Sequence, residues 1–62
     1  MEFDKLRERL KKYHADSEVP YKKIASDIGV SYSVFYNFSS GIRGLKEKYY
    51  LLLDSYLTEK GY

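Results

Sequence analysis

Apolar residues recur along this chain at helical spacing. Between residues 3 and 13 they are Phe3, Leu6, Leu10 and Tyr13, three, four and three positions apart, which puts them on one face of a helix. Most of the opposite face is Lys5, Arg7, Arg9, Lys11 and Lys12, read as solvated charge, with Glu8 one turn ahead of Lys12 for pairing. His14 and Ala15-Asp16-Ser17 read as a connection. Val19-Pro20 should start a second helix, because the first turn of a helix has no use for the N–H that proline lacks. Ile24, Ala25 and Ile28 form its apolar stripe, and Gly29 ends it. Val30 is expected buried in the turn. Ser31 is a good N-cap for a third helix, whose inward residues are Phe35 and Phe38 and whose stop is Ser39-Ser40-Gly41. Residues 45–60 predict the longest helix, with Leu45, Tyr49, Leu52, Leu53, Tyr56 and Leu57 on one side and Gly61 closing it. No alternating run with a hairpin turn is present, so no sheet is expected. The fold class that follows is all-α, a compact bundle of about four helices.

Composition narrows the function more than the fold. The chain has 62 residues, one domain's worth. A chain of that size buries only roughly 60% of its unfolded surface. It contains no cysteine, so apolar packing must hold it without a disulfide or a Cys-based metal site. An apolar share of 44% and a charged share of 32% suit a globular core with a soluble surface. No stretch approaches the ~20 apolar residues of a membrane span. Met1-Glu2-Phe3-Asp4 is too acidic and too broken for a signal peptide, so a cytoplasmic location is expected.

Net charge is only +2, but it is unevenly spread. From Pro20 to Lys46 the bases Lys22, Lys23, Arg43 and Lys46 face one acid, Asp27, whereas residues 50–62 carry Asp54 and Glu59 against Lys60. A locally positive middle fits a face that meets phosphates. Catalysis finds no support, since there is a single His, no glycine-rich phosphate loop and no carboxylate pair placed by a motif. Neither a metal, a cofactor nor a small-molecule substrate is expected.

The informative stretch runs from Tyr21 to Gly41. Ala25 is small where two helices would cross closely. Gly29 takes a positive φ at low cost and so permits a sharp turn. Ile24, Ile28, Val30, Phe35 and Phe38 are phased to lock one helix across the next. In these residues the chain resembles the helix-turn-helix of phage repressor and Cro-like regulators and, more loosely, that of the lac-repressor family. The resemblance covers roughly residues 17–45 and meets that family's pattern at all seven positions just named. It implies a lambda-repressor-like fold and a nucleoid-associated, sequence-specific regulator of double-stranded DNA, a repressor of phage or mobile-element type, reading the major groove with residues 31–39.

The resemblance places Tyr32, Ser33, Val34, Tyr36 and Asn37 as base-reading residues. Asn37 suits an adenine edge and Ser33 either base class, Val34 and the tyrosine rings suit thymine methyls, and no arginine is present to read guanine. Tyr21, Lys22, Lys23, Ser31, Arg43 and Lys46 become the phosphate contacts, which position the domain while base contacts select sequence. Tyr50 and Leu51, off the main stripe of the last helix, form either a homodimer surface or scattered exposed apolar residues. A tyrosine-rich reading face without arginine leaves open a scaffold of the same kind used on a protein partner, as an inhibitor or antagonist. A small recombination or architectural DNA-binding factor stays open as well.

Overall fold

The computed structural model describes residues 3–62; Met1 and Glu2, part of the start read above as no signal peptide, lie outside them. Among the described residues there are four helices and no strand: α1 (Phe3–Ser17), α2 (Tyr21–Ile28), α3 (Tyr32–Ser39) and α4 (Glu47–Glu59). They pack into a globule measuring 24 × 21 × 18 Å, so the chain is a small all-α bundle. None of its helices is long and apolar enough to cross a membrane.

Helix α1 buries Leu6, Leu10 and Tyr13, as their spacing predicts, but it runs one turn further than expected. His14 to Ser17 are helical, not a connection. The added turn is held locally: the Ser17 hydroxyl donates to the Tyr13 carbonyl at 2.6 Å, and His14 Nδ1 lies 2.7 Å from the Val19 carbonyl oxygen. Glu18 then takes a left-handed backbone, φ 60°, and turns the chain. Pro20 occupies the N-cap of α2 with φ −67° and ψ 150°, one position before the first helical residue.

The α2–α3 connection is Gly29-Val30-Ser31. Gly29 has φ 80° and ψ 25°, and its N–H and that of Val30 donate to the carbonyls of Ser26 and Ala25. This left-handed cap closes the helix and turns Val30 inward, to 8% exposure. The Ser31 hydroxyl accepts from the Val34 N–H at 3.3 Å and starts α3. Gly41 (φ 84°) ends it, with the Asn37 carbonyl accepting from the N–H groups of Ile42 and Arg43.

Helix α4 starts later than the sequence suggests. Leu45 is buried but lies in the preceding loop, and Lys46 is the N-cap. The stripe on α4 also differs from the expected one. Leu53 and Leu57 are fully buried, whereas Leu52 is 41% exposed and Tyr50 packs against the core instead. At about 100° per residue, Tyr50 stands beside Leu53 and Leu57 while Leu52 turns away from them. Helix α2 packs on α3, α1 on α3 and α4, and α4 on α2. Phe35, Phe38, Ile24, Leu6, Leu10 and Leu53 meet at the centre.

Candidate nucleic-acid interface

The site is built on α3. Phe35 and Phe38 are completely buried, so packing fixes the helix's rotation about its own axis. Tyr32, Ser33, Tyr36 and Asn37 then fall on the opposite side, within about 140° of arc. Tyr32 and Tyr36 are 48% and 50% exposed, their ring centroids 6.2 Å apart. Ser33 is exposed and Asn37 half-buried. The Asn37 backbone carbonyl is engaged by the following loop, while among the described residues its carboxamide has no hydrogen-bond partner.

Val34 does not belong to this face. Its place on the helix is next to Phe38, and its side chain is half-buried against the core. It lines a cleft of about 650 Å³ together with Val30, Ser31, Arg43, Gly44, Leu45, Lys46 and Tyr49. That cleft brings together three of the expected phosphate contacts, Ser31, Arg43 and Lys46. Ser31 already serves as the α3 cap. Arg43 and Lys46 are exposed and form no ion pair among the described residues.

The other three lie on α2. Lys22 is exposed. The Lys23 ammonium is 3.6 Å from Asp27 one turn on, which neutralises part of its charge. The Tyr21 ring is fixed, stacked on His14 at 4.2 Å and edge-on to Phe35 at 5.8 Å, and burial raises its phenol pKa above the ordinary value. His14, read as part of a connection, thus helps seat the start of α2.

Arg7 and Arg9, expected on a solvated face, are tethers instead. Arg7 Nε donates to the Phe38 carbonyl at 2.6 Å and one terminal nitrogen to the Arg43 carbonyl at 2.8 Å, with the guanidinium 4.7 Å from the Phe38 ring centre. It ties the end of α3 to the loop that carries Arg43. Arg9 pairs with Asp54 and donates to the Tyr62 carbonyl at 2.9 Å, binding α1 to α4 and the chain end. Nothing at these positions distinguishes a tethering arginine from a solvated one, because every tertiary partner is more than thirty residues away in the chain. A Cβ at Gly44 would stand 2.7 Å from the Phe3 ring, so a larger residue there would require that ring to shift.

Compared with known proteins, the chain matches no family model, no curated protein and no solved structure.

Proposed function

We propose that this protein is a sequence-specific regulator that binds double-stranded DNA and acts by occupying its site, as a repressor does, rather than by catalysis. The observation that carries the reading is the α3 surface. A helix locked by two buried phenylalanines offers two half-exposed tyrosines, a serine and an uncommitted carboxamide on one face, and a cleft edged by Arg43 and Lys46 lies beside it. Exposed tyrosines are costly unless something covers them. An α-helix of this width fits the major groove, where Asn37 pairs with adenine and Ser33 with either base class, and the tyrosine rings cover thymine methyls. Arg43, Lys46 and Lys22 hold the flanking phosphates. Val34, half-buried in the cleft, drops out of the base-reading set.

Duplexes selected from a random library supply the probe. Affinity for the selected duplex should fall steeply with salt. Asn37→Ala and Ser33→Ala should each cost about 1–3 kcal/mol of sequence preference, and Arg43→Ala should weaken all duplexes alike while lowering the salt slope by about one. No retardation of any duplex at micromolar protein and low salt overturns the reading. The tyrosine-rich, arginine-free surface also favours a second reading, a protein-binding scaffold. That alternative predicts that Tyr32→Ala and Tyr36→Ala abolish binding to the partner protein with little salt dependence.

A further inference from the structure

Helix α4 has an outer face that the bundle leaves uncovered. Leu51 and Leu52 are 52% and 41% exposed, on the side away from buried Leu53 and Leu57. Lys48, Leu52, Ser55 and Glu59, four, three and four residues apart, form one exposed strip along it, with Leu51 flanking. Charges of opposite sign stand at the two ends of the strip, Lys48 in the first turn next to Glu47 and Glu59 in the last turn next to the C-cap Lys60. Neither forms an ion pair among the described residues.

A second copy resolves both features. We infer that the chain forms a symmetric dimer through antiparallel pairing of α4 with α4 of another copy, the two-fold axis crossing level with Leu53 and Asp54. In that register Lys48 meets Glu59 of the partner subunit at both ends, and Leu52 lies against Ser55 of the partner subunit at the centre. The leucines become covered, and Lys48 and Glu59 each gain a partner of opposite charge. A parallel pairing sets lysine against lysine and glutamate against glutamate, so the charge pattern selects the antiparallel one. The strip is self-complementary, as a two-fold interface requires. The expected Tyr50–Leu51 surface shifts accordingly, because Tyr50 packs against Phe3 at 5.7 Å and belongs to the fold.

The dimer is independent of the DNA reading and is measured without DNA, by sedimentation equilibrium of the full chain up to about 1 mM, the weak end of association. The wild type should dimerise. Lys48→Glu and Glu59→Lys should each raise the dimer Kd about tenfold or more, since each replaces two attractive pairs by two repulsive ones. An equimolar mixture of the two variants should associate like the wild type, because their heterodimer contains only opposite charges, and the double variant K48E/E59K should regain self-association. All substitutions are at exposed positions, and circular dichroism should report unchanged helix content. A wild type that stays monomeric throughout the range overturns the inference, as do single variants that dimerise normally. So does a helical mixture that fails to associate.

Discussion

Gly29 and Glu18 both hold left-handed backbone, with φ 80° and 60°, but only one of them is glycine. A Cβ at Gly29 would meet nothing within 4 Å, so an alanine there is opposed by backbone conformation alone. Gly29→Ala should lower stability by about 1–2 kcal/mol, and Glu18→Gly should raise it by up to about 1 kcal/mol. Urea midpoints at constant slope report both. Equal signs for the two substitutions contradict this account of the turns. Gly29 was legible as a turn residue from its place after the Ile24–Ile28 stripe. Glu18 was not, because no local pattern tells a glutamate in a turn to adopt positive φ.

At the scale of elements, α2, α3 and their connection could be read directly, since cap, turn and inward residues all lie within twenty-one consecutive positions. The far end of the candidate site could not. Its placement depends on Arg7, which reaches from α1 to the carbonyls of Phe38 and Arg43 with only 16% of its side chain exposed. Removing the partner of the part-buried Phe38 carbonyl costs about 1–3 kcal/mol. Arg7→Met, which keeps the apolar stem, should destabilise the fold by that amount and speed amide exchange at Ile42 and Arg43, both held by the Asn37 carbonyl. Unchanged exchange there would remove Arg7 from the positioning of Arg43. The α4 stripe differs from the expected one for a related reason: apolar residues are spread around most of that helix, so spacing alone does not say that Tyr50 packs inward against Phe3 while Leu52 stays exposed.

Across the whole molecule, tyrosines join the elements at their edges. The Tyr56 hydroxyl donates to Asp27 at 3.2 Å and the Tyr62 hydroxyl to Asp16 at 2.8 Å. Burial, then Tyr13 and Asp27, raise the pKa of Tyr56; the hydrogen bond to Asp16 raises that of Tyr62, and burial that of Tyr21. In the unfolded chain these phenols ionise near 10. Above that pH the folded state therefore keeps protons that the unfolded state has lost, and stability falls as pH rises. The urea midpoint should be insensitive to the tyrosines below about pH 9 and drop above about pH 10; a midpoint that holds or climbs there contradicts the assignment. The proposed DNA contact lies on α3 and the loop that carries Arg43. Titrating an isotope-labelled chain with a selected duplex at low salt, and following each amide by NMR, tests it most directly. Shifts should concentrate at residues 31–37 and 43–46 and leave the outer side of α4 unaffected by base contact. Amides of α3 that do not move at saturating duplex would contradict it.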